Sequence, residues 1–164
     1  MANFSFDIVS DYDKAELNNV FDQAQREMAQ RYDFKGTPAD IEWLDDKKGI
    51  RVIGSGEWQI DAIVDIFRKK LAARGQDQKV LDLSGELHES NLKASKELPF
   101  RQGLDQAKAK QITKVVRDSY PKVKPVIQGD VVRVTSSSKD DLQGVMQLLR
   151  SQDFDFPLSF TNYR

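Results

Sequence analysis

The chain has 164 residues, 39% hydrophobic and 31% charged, with a formal net charge of −1 and a mean hydropathy of −0.59, as suits a folded, water-soluble protein of one medium or two small domains. No apolar run approaches the roughly 20 residues that cross a bilayer, and the N-terminus lacks the basic and apolar regions of a signal peptide. The absence of cysteine excludes disulfides, thiolate chemistry and cysteine-based zinc sites, so a cytoplasmic location without membrane attachment is the expectation.

In chain order, Phe4-Ser5-Phe6-Asp7-Ile8-Val9 alternates as a strand does. Asp13-Lys14-Ala15-Glu16 resembles a capping box and opens a helix with Leu17, Val20, Phe21, Ala24 and Met28 on one face. Segments 39–44 and 49–53 read as a hairpin around Asp45-Asp46-Lys47-Lys48, with Gly49 expected to supply a positive φ. A second helix carries Ile60, Ile63, Val64, Phe67 and Leu71 inward, and Val80-Leu81-Asp82-Leu83 is an extended segment. A further strand is expected within Leu87 to Phe100, where alternation is weak and Pro99 marks an edge or a strand end. A third helix turns Ile112, Val115 and Val116 inward. A second hairpin, Val123 to Gln128 and Val131 to Thr135, folds around Gly129-Asp130. Ser138-Lys139-Asp140-Asp141 caps a fourth helix with Leu142, Val145, Met146 and Leu149 inward, and Leu158-Ser159-Phe160 closes as a strand.

The two halves repeat one another. At an offset of 82, Arg51-Val52 matches Arg133-Val134, Ile60 matches Leu142, Ile63 matches Val145, Val64 matches Met146 and Phe67 matches Leu149. Each half reads α-β-β-α-β, and one more strand before each gives βαββαβ. That is the ferredoxin-like arrangement, a four-stranded antiparallel sheet with two helices on one face, in an α+β chain.

Chemistry-bearing motifs are few. His88, the one histidine, lies in a polar connector without neighbours for acid–base or metal chemistry. Gly54-Ser55-Gly56 sits between a strand and a helix, where phosphate loops occur. The third glycine of a dinucleotide fingerprint is missing, however, and Gln59 stands in its slot. The segment therefore reads as a turn and helix start. RNA-recognition strands stack bases on aromatic side chains. In Lys48-Gly49-Ile50-Arg51-Val52-Ile53-Gly54-Ser55 those places hold Ile50, Val52 and Ser55, so base stacking is not expected there, and the aliphatic side chains are expected to meet the other sheet instead. Asp45-Asp46 and Asp140-Asp141 read as solvated turn and helix-start acids. No catalytic apparatus, cofactor or metal site emerges.

Charge is unevenly spread along the sequence. Residues 1–92 hold 12 Lys+Arg and 18 Asp+Glu, whereas residues 93–164 hold 13 and 8. The basic excess nominates a surface for an anionic partner: Arg101, Lys108, Lys110, Lys114, Arg117 and Lys122 on and around the third helix, with Arg133 on the later hairpin. Lys110, Lys114 and Arg117 are spaced by four and three residues, along one helix side.

Four signatures together carry a resemblance: Ser5-Phe6-Asp7-Ile8-Val9-Ser10, Arg31-Tyr32-Asp33-Phe34-Lys35-Gly36-Thr37, Arg133-Val134-Thr135 leading into Asp140-Asp141-Leu142-Gln143, and the closing Pro157-Leu158-Ser159-Phe160-Thr161-Asn162-Tyr163-Arg164. The chain resembles the bacterial YajQ family from end to end. The resemblance implies two ferredoxin-like, RNP-like domains with exchanged N-terminal strands. One would hold residues 10–86 with a strand near 95–101, the other 3–9 with 102–164. It also implies nucleotide binding without an established enzyme activity, with ATP or GTP, transfer RNA and cyclic di-GMP as candidate ligands. Two departures stand out: Ser136-Ser137-Ser138-Lys139 replaces a usually Gly- and Lys/Arg-rich segment, and Ser159 stands where Gln is usual. The leading expectation is a nucleotide- or RNA-binding module that acts as a regulatory effector. The alternative is an adaptor that docks a protein partner in the groove between its domains.

Overall fold

The computed structural model describes residues 3–164. Its elements are β1 (Phe4–Val9), α1 (Lys14–Gln30), β2 (Asp40–Trp43), β3 (Gly49–Gly54), α2 (Glu57–Ala73), β4 (His88–Ser90), β5 (Lys93–Pro99), α3 (Gln106–Ser119), β6 (Lys124–Gln128), β7 (Val131–Ser136), α4 (Lys139–Ser151) and β8 (Ser159–Thr161). They form two four-stranded antiparallel sheets, ordered β6-β7-β1-β8 and β2-β3-β5-β4. The chain divides into two compact units. One is contiguous, Tyr12–Arg101; the other joins the chain up to Asp11 to Gln102–Arg164.

The discontinuous unit has the order βαββαβ, with β1 between β7 and β8. Phe6 and Ile8 on β1 and Val132 and Val134 on β7 point to a core closed by α3 and α4, through Ile112, Val116, Leu142, Val145 and Leu149. In the contiguous unit β5 takes the place that β1 takes in the other. It lies beside β3 as β1 lies beside β7, so Arg51 faces Glu97 where Arg133 faces Asp7. The contiguous unit is thus a circular permutation of the same motif, with its first strand moved to its C-terminal end, set between β1 and α3 of the other.

Helical periodicity translates directly into burial. All five inward residues expected of α1 are buried, as are all four of α4. In α2, Ile66 is buried and Val64 is only half-buried against the core. The caps form as their sequence suggests: the Asp13 carboxylate accepts from the Glu16 N–H and the Ser138 hydroxyl from the Asp141 N–H.

Three local expectations are corrected. The positive φ of the first hairpin falls on Asp46 (57°) and Lys47 (54°), not on Gly49. Gly49 is instead required by close approach, because a Cβ there would lie 2.6 Å from the Leu98 carbonyl oxygen across the ladder. Val80-Leu81-Asp82-Leu83 is not a full strand: Gln78–Val80 is a 3₁₀ turn, and only Leu81 bridges to Phe100. The outer strand is β4, which makes a tight hairpin with β5 through Asn91 and Leu92, both at positive φ (44° and 67°). Finally, Ile50 and Val52 do not meet another sheet. They are fully buried beneath α1 and α2 of their own unit, and Arg51 lies on the opposite face. A one-residue shift of frame exchanges the two faces of a strand.

A candidate anion-binding surface

The α3 helix starts at Asp105, whose carboxylate accepts from the Lys108 N–H at 2.8 Å. Ala109, Ile112, Thr113 and Val116 are buried on its inner side. That stripe fixes the helix rotation and leaves Lys110, Lys114 and Arg117 exposed on the outer side. Among the described residues these three cations make no ion pair, in contrast to Arg31, Arg51, Arg74 and Arg133, each held by a carboxylate within 3.3 Å. An outer row of unpaired cations can meet successive phosphates without first breaking internal bonds.

The other sequence-nominated residues are distributed differently. Lys108 is half-buried, with its Nζ 5.4 Å from the Phe156 ring centroid. Lys122 is exposed in the four-residue connector 120–123 after α3. Arg101 belongs to the contiguous unit and is committed there: it donates to the carbonyls of Lys79 (2.9 Å) and Leu81 (3.2 Å) and pairs with Asp82 (3.7 Å). Arg133 lies on the sheet face opposite the helices, so it does not join the α3 row.

Arg133 has a structural partner. It donates to Asp7 through Nε at 2.9 Å, and Asn162 donates to the same carboxylate at 2.8 Å from a residue at positive φ (55°). The hydrogen bond from Arg133 is the main cause that holds the Asp7 carboxyl below its ordinary value, with Asn162 adding to it and burial opposing. Past Asn162, Arg164 exchanges two backbone hydrogen bonds with Ser5, and Tyr163 stacks on Phe6. The closing Asn162-Tyr163-Arg164 therefore locks the end of the chain onto β1.

The glycine loop is filled from within. The Gln59 side chain, fully buried, accepts from the Ser55 N–H at 2.7 Å and donates to the Thr37 hydroxyl at 3.1 Å. An amide group thus already occupies the place an anion would take above Gly54-Ser55-Gly56. Ser136 and Ser138 are likewise spent on their own backbone at the start of α4. His88 is exposed on β4.

The charge asymmetry along the sequence does not survive folding. Lys93, Lys96 and Arg101 fall in the contiguous unit, and Asp7 and Asp11 in the other. The contiguous unit then holds 15 Lys+Arg against 17 Asp+Glu, and the discontinuous one 10 against 9. What remains of the basic surface is local to α3. Sequence reasoning missed a second locus, a pocket of about 350 Å³ where the C-terminal end of α1 meets the start of β2. Its signal was present in the connector lengths: residues 31–39 join α1 to β2, against 120–123 at the equivalent place in the other unit.

A family model for nucleotide-binding proteins that are YajQ-like matches residues 4–164. Among relatives, proteins named nucleotide-binding protein from Streptomyces griseus and from a Nocardioides species are 46% and 44% identical over 165 residues, covering all of both chains. One of the same description from Nostoc punctiforme is 43% identical over 163 residues, 99% of each chain.

Proposed function

The chain belongs to the YajQ-like family, and we propose that it is a non-catalytic binder of nucleotides or RNA whose phosphates lie along the outer side of α3. One observation carries this reading: Lys110, Lys114 and Arg117 stand exposed on one helix side with no carboxylate partner among the described residues. The names of the relatives support the ligand class. ATP, GTP, cyclic di-GMP and transfer RNA all offer the phosphates this row requires, and none needs a metal or a reacting side chain to be held. A surface that only tracks phosphates binds weakly, at roughly 10⁻⁴–10⁻⁶ M in physiological salt, and loses affinity steeply as salt rises.

The test is RNA retention by the full chain against its Lys110→Glu/Lys114→Glu/Arg117→Glu variant. A thermal melt is run in parallel to show that the exposed positions leave the fold intact. Loss of retention is expected, because removal of three phosphate contacts from a single strand lowers the log–log salt slope by about 2. A variant that binds as the parent does, with the same salt slope, overturns the α3 site. Salt-insensitive binding in the parent would favour an adaptor that docks through apolar surface.

A further inference from the structure

The α1–β2 connector of the contiguous unit has nine residues, 31–39, where its counterpart after α3 has four, 120–123. Both units close the same motif, so the fold itself does not need the longer connector. The additional residues build the wall of the pocket at the end of α1. Residues Tyr32–Phe34 form a 3₁₀ turn that drives Phe34 into the core (5% exposed) and leaves Tyr32 almost wholly in solvent (86%). Gly36 then takes a positive φ of 74°, and the Thr37 hydroxyl donates to the Phe34 carbonyl, which fixes the return to β2.

The chemistry of the lining is specific. Phe34 and Met28 supply an apolar floor, and the volume of about 350 Å³ lies at the lower end of what small-molecule sites occupy. Arg31 is bound to Asp33 through Nε and Nη2, at 3.0 and 2.8 Å, and its guanidinium lies 4.6 Å from the Phe34 ring centroid. That fork positions the guanidinium rigidly and leaves Nη1 unspent. The exposed Lys35 makes no ion pair among the described residues, and its Nζ is 5.9 Å from the Tyr32 ring centroid. At the far side of the lining, Asp40 uses one carboxylate oxygen on the Ile41 N–H, at 2.8 Å, and keeps the other for a donor.

We infer that this pocket binds a nucleoside monophosphate, with the base on the Phe34 and Met28 floor, its amino edge donating to Asp40, and the phosphate held by Arg31 and Lys35. With Arg31 already paired to Asp33, Lys35 on one side and Asp40 on the other orient the ligand. A phosphate over Asp40 is repelled, whereas beside the unpaired Lys35, with the unspent Nη1 of Arg31 as a further donor, it is neutralised. Arg31 is left to the phosphate, and the base packs on the part of the lining that Phe34 and Met28 present to the pocket. The site belongs to the contiguous unit and the α3 row to the other, and neither uses a residue of the other.

The experiment is ¹⁵N–¹H NMR titration of the full chain with adenosine 5′-monophosphate, with adenosine and inorganic phosphate as separate arms. Saturable shifts confined to residues 25–40 are expected with the monophosphate. Adenosine alone and phosphate alone should each bind at least about tenfold more weakly, since each forfeits one half of the contacts. Lys35→Gln should weaken the monophosphate about tenfold or more and leave adenosine unchanged. Ala29→Phe, at an exposed helix position on the pocket wall, should block both. Absence of shifts in residues 25–40 at millimolar monophosphate overturns the inference, and so does an Ala29→Phe variant that binds as the parent does. The α3 triple variant should bind the monophosphate normally here, so failure of either site is read separately.

Discussion

Cutting the chain at residue 101 and cutting it at residue 85 should have opposite outcomes. A fragment of residues 12–101 keeps α1, α2 and all four strands of its sheet. A fragment of residues 1–85 looks like the first half of the sequence repeat but lacks β4 and β5. It therefore loses Ala94, Leu98 and Phe100 from the core, buried to 2%, 0% and 8% exposure, and the six-residue β3–β5 ladder from Gly49–Pro99 to Gly54–Ala94. Removing a buried Leu and a buried Phe costs about 5–10 kcal/mol together, comparable with the ~5–15 kcal/mol that stabilises a whole domain. The same fragment also carries β1 with no strand to pair with, and its Phe4, Phe6 and Ile8 side chains are left in water. Thermal melts by circular dichroism, with sedimentation to establish mass, should show a cooperative monomer for 12–101 and an uncooperative, associating species for 1–85. A cooperative monomeric melt of 1–85, or a failure of 12–101 to fold, would refute the permuted topology as the unit of stability.

The Asp7 carboxyl is held low in the folded chain, chiefly by Arg133, so its contribution to stability is present above the ordinary carboxylate pKa of 3.8 and is lost as pH falls through the lower folded value. Asp7→Asn should therefore cost about 1–3 kcal/mol at neutral pH, and urea midpoints of parent and variant should converge below pH 3.8; a gap that persists in acid would show that geometry, not charge, carries the effect. Leu92 is 93% exposed at φ 67° in the β4–β5 turn, so Leu92→Gly removes left-handed strain without uncovering the core. Its melting temperature should rise, by the equivalent of about 1 kcal/mol, and a fall would mean that the leucine makes a contact absent from the exposed turn.

How much of this was legible in the sequence depended on whether a feature is periodic or relational. The helix faces of α1 and α4 follow from 3.6-residue spacing alone, and every inward residue named for them is buried. The face of β3 was misjudged because a strand's period is two, and the RNA-recognition frame placed on Lys48 and Gly49 assigned Ile50 and Val52 to the wrong side. Charge was misjudged for a different reason. Summing along the sequence groups Asp7 with residues it never joins, while in the structure it lies opposite Arg133, far away in the chain. The exposure of Lys110, Lys114 and Arg117 was legible because local spacing decides it. The pocket at the end of α1 was missed because neither repeat displays it alone; it is a difference between two connectors, and only a comparison of the copies reveals it.

The insertion of one unit within the other bears on the order in which the chain acquires structure. During synthesis β1 emerges before the contiguous unit, yet its neighbours β7 and β8 emerge after it, while everything Tyr12–Arg101 requires is made in between. The two strands of backbone that bracket this segment run side by side: the Gly103 N–H donates to the Ser10 carbonyl at 2.6 Å, and Gln102 donates to Asp11 at 2.9 Å. Once folded, the inner unit behaves as a tether of a few residues instead of one of about ninety. By the logarithmic dependence of closure entropy on length, this lowers the cost of bringing β1 to α3 by about 3 kcal/mol. Ribosomal output thus favours a sequence in which the insert sets first and then delivers the waiting N-terminal strand to a sheet not yet made.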